Sequence, residues 1–226
     1  TELPEGRSGN FGLASTFSFF VAHHMSTIEG GMVCTSDEEI AEMLRIVRAN
    51  GWDRNLNSGQ QYKWRNTYNI QNEFEAKYTF YDLGFNFRPT EITGFLGLSQ
   101  LHHLSMNVEK RIENHIFLEN VLKKNPDLIQ LDHSHVAVFS SFAFPVLCKE
   151  PEMRRKYLLQ FSGGGVEIRP MIAGNIQEQP FYKKYVDDIY ALPGTEFVHA
   201  SGFYCGNYPE LSDADLEIIS SCLMKY

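Results

Sequence analysis

The sequence predicts an α/β fold, because β-prone runs alternate with helix-forming segments in both halves of the chain. In the first half, two β-prone runs, Leu13–Ala22 and Met32–Thr35, precede a predicted helix over residues 36–49. This helix has a capping sequence that starts at Ser36 and one apolar face with side chains at i, i+3, i+4 and i+7. In the second half, the predicted order is strand, helix, strand and helix.

Residues 52–83, which follow the first helix, are polar but rich in Trp, Tyr and Phe, and they show no periodicity. A loop of this length is uncommon unless it has a function. Two interpretations stay open: a connection anchored by its aromatic side chains, and an active-site loop or a loop that crosses to another subunit.

A long helix, straight or kinked, is predicted from Pro89 to Asn125. Such a helix often bridges two domains, and we place the boundary near Met106, which separates a domain of residues 1–105 from a smaller one of residues 106–226. The smaller domain is predicted to contain a strand or strand pair over 136–147, a helix over 151–161, a strand over 166–170 and a last helix capped by Ser212 and Asp215.

The composition excludes several classes of function. The 226 residues include 28 acidic and 20 basic side chains, which gives a formal net charge of −8. Excess negative charge repels phosphate backbones and anionic lipids, so we expect neither nucleic acid nor a membrane surface as a partner. The sequence shows no apolar run of the roughly 20 residues that span a bilayer and no secretory signal at Thr1–Arg7, so a cytoplasmic location is expected.

The cysteines are too widely spaced for a disulfide scaffold or a Cys-x-x-Cys pair, and we expect free thiols, most of them buried. No metal site is predicted either. His102 and His103 are adjacent in the predicted helix, which does not suit shared ligation of one ion, and His133 with His135 has no third ligand in the local sequence.

The densest chemistry lies between Ser18 and Gly31, where a hydroxyl, two adjacent histidines, a carboxylate and paired glycines follow a predicted strand. Ligands collect at the ends of strands in α/β sheets. Adjacent side chains of an extended segment point to opposite sides, so at most one of His23 and His24 should face a site. From its position alone, His23 is predicted to be a hydrogen-bonded structural residue.

This segment resembles the DegT/StrS aminotransferases, a family that acts on nucleotide-linked keto-sugars with pyridoxal 5'-phosphate. The shared pattern is Ser-Phe-Phe, two residues, a lysine and, six residues later, an acidic residue with Gly-Gly. Here His23 occupies the place of the lysine, six residues before Glu29, which resembles the sugar 3-dehydratase branch of the family. Further matches follow in the family's order at Leu83–Arg88, Glu167–Asn175, Gln179-Pro180 and Gly202–Ser212.

The resemblance implies a fold-type I transferase fold, with the C-terminal part of its large cofactor-binding domain in residues 1–105 and the small α/β domain in residues 106–226. In the family a long N-terminal stretch precedes this region and supplies further cofactor contacts. We therefore expect the chain to correspond to a C-terminal portion, and the implied activity is that of a longer protein.

The implied chemistry follows from the exchange of lysine for histidine. Imidazole cannot hold the cofactor as a Schiff base, but with a reference pKa of about 6.5 it can move a proton at neutral pH. The resemblance therefore implies that the cofactor enters as pyridoxamine 5'-phosphate and that His23 deprotonates its methylene carbon, which leads to loss of the C3 hydroxyl of a nucleotide-linked 4-keto-6-deoxy sugar. Glutamate is the implied amino donor, and deoxysugar or polysaccharide biosynthesis is the implied setting.

Other roles are implied for single residues. Ser18 matches a hydroxyl that binds the cofactor phosphate, and Asn86 matches an asparagine that reaches the phosphate of the neighbouring subunit in a homodimer. Glu167 and Arg169 alternate with Ile168 on a predicted strand and should point the same way, so Arg169 could clamp a substrate carboxylate or phosphate. A solvent-exposed ion pair is the alternative interpretation of these two residues.

Two other functions stay open. One is a sugar aminotransferase in which a lysine of the aromatic segment, such as Lys63 or Lys77, replaces the missing one. The other is an inactive remnant that serves as a dimerisation or regulatory module. Absorbance distinguishes them, because a lysine adduct of pyridoxal phosphate gives a visible band that borohydride traps, whereas a remnant gives no cofactor spectrum.

Overall fold

The structure, a computed structural model, describes residues 1–224. Its backbone divides into two compact units. We call Gly6–His102 the N-terminal unit, and Thr1–Glu5 together with the residues from His103 onward the C-terminal unit. This division lies between His102 and His103, and the functional domain boundary between residues 105 and 106 stays a prediction.

Short strands begin the chain. These are β1 (Glu2–Leu3) and β2 (Gly6–Arg7), followed by β3 (Ser15–Ser18), which pairs antiparallel with β4 (Gly31–Cys34). Each of the two predicted β-prone runs thus contributes a strand, although the strands are shorter than the runs. The helices of the N-terminal unit are α1 (Glu38–Val47), α2 (Ser58–Thr67), α3 (Glu73–Ala76) and α4 (Glu91–Leu101).

Helix α1 confirms the predicted helix over 36–49, with its cap one residue later than expected. The side chain of Asp37, rather than that of Ser36, accepts the N–H of Ile40 at 3.0 Å. Side-chain oxygens of this kind satisfy the first free N–H groups of a helix.

The segment 52–83 contains two helices, so the prediction of a loop was wrong over α2 and α3. Every residue of α2 is at least partly exposed. The helix is held instead by the buried carboxylate of Glu42 on α1, which accepts hydrogen bonds from Trp64 Nε1 at 3.0 Å and from Gln60 Nε2 at 3.3 Å. Aromatic packing also holds this helix, since the ring of Trp64 stacks on Tyr68 at 5.9 Å and meets Tyr81 at 5.6 Å. Because these contacts do not form a regular apolar face, apolar spacing could not reveal α2.

The long predicted helix is broken. Helix α4 ends at Leu101, and α5 (Leu104–Leu122) begins after His102 and His103. Every residue of α4 is at least partly exposed. Its apolar spacing belongs to a stripe that faces outward, formed by Ile92, Phe95, Leu98 and Leu101. The apolar spacing in the sequence therefore runs through both α4 and α5, although the two helices do not share one buried face.

The C-terminal unit is built on a three-stranded antiparallel sheet in the order β5 (Ala143–Leu147), β7 (Gly202–Gly206), β6 (Ile168–Pro170). The strand predicted over 136–147 is confirmed only over β5. Its other elements are α6 (Pro151–Gly163), a 3-10 helix at Ile176–Glu178, α7 (Pro180–Tyr185), α8 (Pro193–Ser201) and α9 (Asp213–Leu223). The predicted helix over 151–161 and the predicted strand over 166–170 are confirmed by α6 and β6.

One hydrophobic core fills this unit. It joins the sheet to α5, α6 and α9 through Leu118, Phe144, Val146, Phe161, Phe203, Ile219 and Leu223 among other buried residues. The predicted cap of α9 is confirmed, since Ser212 Oγ accepts the N–H of Asp215 and a carboxylate oxygen of Asp215 accepts the N–H of Ser212 at 2.9 Å.

The expectation for the cysteines is confirmed, because all of them are free and three of the four are buried. Only Cys34 is exposed. Within residues 1–224, none of the helices combines the length and the apolar character that crossing a bilayer requires.

Candidate functional site

His23 lies in the connection between β3 and β4, which we call the His23 loop (residues 19–30). Two backbone hydrogen bonds close this loop at its base: the N–H of Phe19 donates to Gly30 O at 2.9 Å, and the N–H of Thr27 donates to Phe19 O at 2.9 Å. These two bonds join the beginning of the loop to its end, and His23 lies between the joined residues.

Ser18 and His23 both contact Phe20 at the start of this loop. The N–H of His23 donates to Phe20 O at 3.0 Å, and its half-buried ring meets the ring of Phe20 edge-on with centroids 6.3 Å apart. Ser18 is exposed at the end of β3, and its hydroxyl oxygen accepts the N–H of Phe20 at 3.3 Å. A hydroxyl and an imidazole thus flank the same short turn.

The paired glycines at the end of the loop lie where a side chain would be crowded. Gly30 adopts φ +153°, and a Cβ atom there would lie 2.6 Å from the hydroxyl oxygen of Thr27. A Cβ atom on Gly31 would lie 3.0 Å from Phe17 O in the opposite strand. The Gly-Gly pair therefore allows the chain to return to β4 beside β3.

Asn86 lies in the same unit, on a short extended segment tied to the end of α1. The N–H of Phe85 donates to Val47 O at 2.7 Å, and that of Phe87 donates to Arg48 O at 2.8 Å. The side chain of Asn86 is exposed, and its Oδ1 accepts a hydrogen bond from Arg88 Nε at 2.9 Å. With Oδ1 engaged by the guanidinium, the amide N–H groups are what Asn86 offers to a ligand.

Glu167 and Arg169 lie in the C-terminal unit, at β6. As the alternation predicts, they share a side: Arg169 Nε and Nη2 both donate to Glu167 Oε1, at 3.0 and 2.7 Å. This hydrogen bond and the charge of Glu167 raise the pKa of the Arg169 guanidinium. Their side chains are 68% and 65% exposed, so the structure shows the solvent-exposed ion pair that the sequence left as the alternative.

The lysines of the alternative function lie on the second and third helices. Lys63 on α2 has its Nζ 3.6 Å from Glu42 Oε2, and Lys77 ends α3, where its backbone oxygen accepts a hydrogen bond from Arg54 Nε at 2.8 Å. Among the residues that the structure describes, no three His, Cys, Asp or Glu side chains are grouped as metal ligands.

Thr27 is a residue that the sequence reasoning missed. It is buried, and its hydroxyl donates to Glu29 O at 2.8 Å. A threonine between the histidines and the Gly-Gly pair was a visible signal, because Ser and Thr side chains often close turns through the backbone.

The side chains of Ser18, His23 and Asn86 fit a phosphorylated, proton-exchanging cofactor. An exposed hydroxyl and exposed amide N–H groups can donate hydrogen bonds to phosphate oxygens, and an imidazole can accept and return a proton near neutral pH. Ser18 and Asn86 could therefore hold the phosphate, and His23 could face the carbon that exchanges a proton.

The chain matches the model of the DegT/DnrJ/EryC1/StrS aminotransferase family over residues 1–224. It is 31% identical over 204 residues to GDP-4-keto-6-deoxy-D-mannose 3-dehydratase of Escherichia coli O55:H7, which covers 89% of this chain and 52% of that protein. The enzyme of the same name from Yersinia pseudotuberculosis is 32% identical over 209 residues, covering 89% and 51%. The chain thus spans about half the length of the curated relatives it matches.

A solved structure of similar fold is GDP-4-keto-6-deoxymannose-3-dehydratase with a trapped PLP-glutamate geminal diamine. It is 28% identical to this chain with a TM-score of 0.84, and the match covers 98% of this chain and 57% of the other. The predicted α/β fold of the PLP-dependent transferases is therefore confirmed.

Proposed function

Because this chain belongs to the DegT/DnrJ/EryC1/StrS aminotransferase family, we propose that the protein carrying it removes the C3 hydroxyl of a nucleotide-linked 4-keto-6-deoxy sugar. The observation that carries the proposal is the histidine in the loop that follows β3, at the position where the family's pattern has its cofactor-binding lysine. Relatives at 31% and 32% identity are named as 3-dehydratases, which supports the same activity here.

His23 is the proposed base. Bound pyridoxamine 5'-phosphate would supply a pyridine ring that accepts electrons and a primary amine that condenses with the sugar ketone. His23 takes a proton from the cofactor methylene carbon and, as an acid, can return one, because a free imidazole titrates at about pH 6.5. A lysine ammonium, with a reference pKa of about 10.4, is mostly charged at neutral pH and is the weaker choice for this step.

The remaining site residues bind rather than react. Ser18 and Asn86 are proposed to hold the cofactor phosphate, with Asn86 serving the neighbouring subunit of a homodimer. Glu167 and Arg169 are proposed to bind the sugar nucleotide or glutamate, since a guanidinium pairs well with phosphate and carboxylate groups. We place this homodimer in the cytoplasm and assign it to deoxysugar biosynthesis.

The second candidate is a sugar aminotransferase, which the name of the matching family favours. It would require a lysine such as Lys63 or Lys77 to take the place of the family's lysine. Lys63 already forms an ion pair with the buried carboxylate of Glu42, which reduces its availability as a nucleophile.

The first test is covalent trapping. The purified chain and the His23→Lys and His24→Lys variants are titrated with pyridoxal 5'-phosphate, reduced with borohydride and digested for mass spectrometry. We expect an adduct at position 23 in His23→Lys only, because position 23, and not position 24, matches the place of the family's lysine. An adduct on Lys63 or Lys77 of the unmodified chain would instead favour the aminotransferase.

The second test measures proton exchange at the cofactor methylene carbon. The chain is incubated with pyridoxamine 5'-phosphate in deuterated water, and exchange at the cofactor methylene is measured by NMR. We expect His23→Asn to slow this exchange by at least about 100-fold, the usual range for loss of a general base. Exchange that is equally fast in His23→Asn would contradict the role of His23.

A further inference from the structure

The backbone of the His23 loop is strained at one residue. Ile28 has φ +72°, in the left-handed region. Branching at Cβ makes this conformation unfavourable for isoleucine, and such conformations persist only where surrounding groups hold them.

Two neighbouring hydroxyl groups hold Ile28 in place. Ser26 Oγ accepts the N–H of Ile28 at 3.0 Å, and Thr27 Oγ1 donates to Glu29 O at 2.8 Å. These bonds engage backbone groups at Ile28 and Glu29, so the local turn is determined by side chains. Of the two, Ser26 is partly exposed to solvent, whereas Thr27 is buried.

Thr27 also joins the loop to the rest of the N-terminal unit. Its N–H closes the base of the loop on Phe19 O. On its other side, a Cβ atom on Gly97 of α4 would lie 3.4 Å from Thr27 Cγ2, so the threonine methyl packs where α4 has no side chain. One residue thus contacts the loop base, the strained turn and α4.

We propose that Thr27 is a positioning residue for His23: its hydroxyl fixes the turn of the His23 loop and thereby the place and orientation of the imidazole. This inference rests on the proposed function of His23 as the base. Proton transfer requires the imidazole within hydrogen-bond reach of the reacting carbon, so the loss of a single loop contact has consequences at His23.

The experiment compares Thr27→Val, which keeps the shape but loses the hydroxyl, with Thr27→Ser, which keeps the hydroxyl. The control is Thr79→Val, because Thr79 Oγ1 donates to Glu75 O at 3.0 Å in the same unit but outside the loop. The His23 ring signals are assigned by NMR through His23→Asn and followed in a pH titration of the chain.

We expect Thr27→Val to displace the His23 ring signals throughout the titration, because the ring changes its surroundings. Thr27→Ser and Thr79→Val should leave these signals close to those of the unmodified chain. With pyridoxamine 5'-phosphate in deuterated water, Thr27→Val should slow methylene exchange at least about tenfold without weakening cofactor binding.

Two results would overturn the proposal: His23 signals in Thr27→Val that match the unmodified chain, or His23 signals in Thr27→Ser that are displaced from those of the unmodified chain. The second keeps the test decisive if Thr27→Val does not fold. A failure of the proposed function gives a different result: the rate of methylene exchange would then be the same in His23→Asn as in the unmodified chain. The ring signals report on Thr27 whether or not the cofactor binds.

Discussion

The two units of the chain hold their helices by different means. In the C-terminal unit, buried apolar side chains of the sheet and of α5, α6 and α9 form one cluster. In the N-terminal unit, the buried apolar side chains are few, namely Ile46, Ala49, Leu56 and Ala76, and many large apolar side chains are exposed.

Polar contacts take the place of a core in the N-terminal unit. The fully buried carboxylate of Asp53 accepts hydrogen bonds from Arg65 Nε at 2.8 Å and from the Tyr81 hydroxyl at 3.4 Å. The hydrogen bond to Asp53 raises the pKa of Arg65 although partial burial acts to lower it. Together with Glu42, this carboxylate fixes α2. The unit that carries His23 therefore orders α2 by directional bonds, whereas the C-terminal unit is ordered by apolar burial.

The largest expected difference in the free energy of unfolding is between two Phe→Ala variants, one in each unit. Phe203→Ala in the C-terminal core, where the side chain is 0% exposed, should lower the free energy of unfolding by about 3–5 kcal/mol. Phe95→Ala on α4, where the side chain is 71% exposed, should change it by less than about 0.5 kcal/mol. Urea unfolding followed by circular dichroism measures both. A comparable loss in Phe95→Ala would show that α4 packs its apolar stripe and would remove the contrast.

The next largest difference in the free energy of unfolding is between variants of a buried and of an exposed ion pair. Asp53→Asn should lower the free energy of unfolding by about 2–3 kcal/mol, somewhat less than for a fully buried pair, because the Arg65 side chain is 28% exposed and can regain water. Glu167→Gln at the exposed pair with Arg169 should leave the free energy of unfolding nearly unchanged, because water screens this pair. Hydrogen exchange at the amides of α2 localises the first loss. Unchanged protection of α2 in Asp53→Asn would contradict the anchoring role of this carboxylate.

A third prediction concerns how the stability of the C-terminal core depends on pH. Burial lowers the pKa of His115 to about 4, below the value of about 6.5 expected in the unfolded chain. The unfolded state therefore binds more protons between these values, so stability should be fully present above about pH 6.5 and fall below it with a slope of up to about 1.4 kcal/mol per pH unit as the pH approaches 4.

Other titratable groups lie near His115, so the pH measurement needs a control variant. His115 Nδ1 lies 3.2 Å from Ser141 Oγ, and His133 with Glu119 lies on its other side, joined by a hydrogen bond of 2.9 Å. Urea unfolding at a series of pH values should show a shallower pH dependence in His115→Gln but not in His135→Gln, whose side chain is exposed. An equal slope in all three proteins would exclude His115 as the titrating group.

Several features of the candidate site could be predicted from sequence because they depend on neighbours along the chain. The loop between β3 and β4, the need for Gly30-Gly31, and the shared side of Glu167 and Arg169 all follow from local backbone geometry. The caps of α1 and α9 were also visible, with a shift of one residue at Asp37. The role of Thr27 was missed because it depends on contacts with Phe19 and Gly97 as well as with its neighbour Glu29.

Alternating β-prone and helix-forming runs predicted the α/β class, because periodicity encodes hydrogen bonds between residues close in the chain. The family, and the role expected at the position of His23, came from the resemblance of motifs to those of a known family. The tertiary structure decided that α2 is a helix, that the long helix breaks after Leu101, and that a buried threonine closes the His23 loop. Helix α2 depends on pairs distant in sequence, namely Glu42 with Trp64 and Asp53 with Arg65. Their energy depends on burial and geometry, which exist only once the chain has folded.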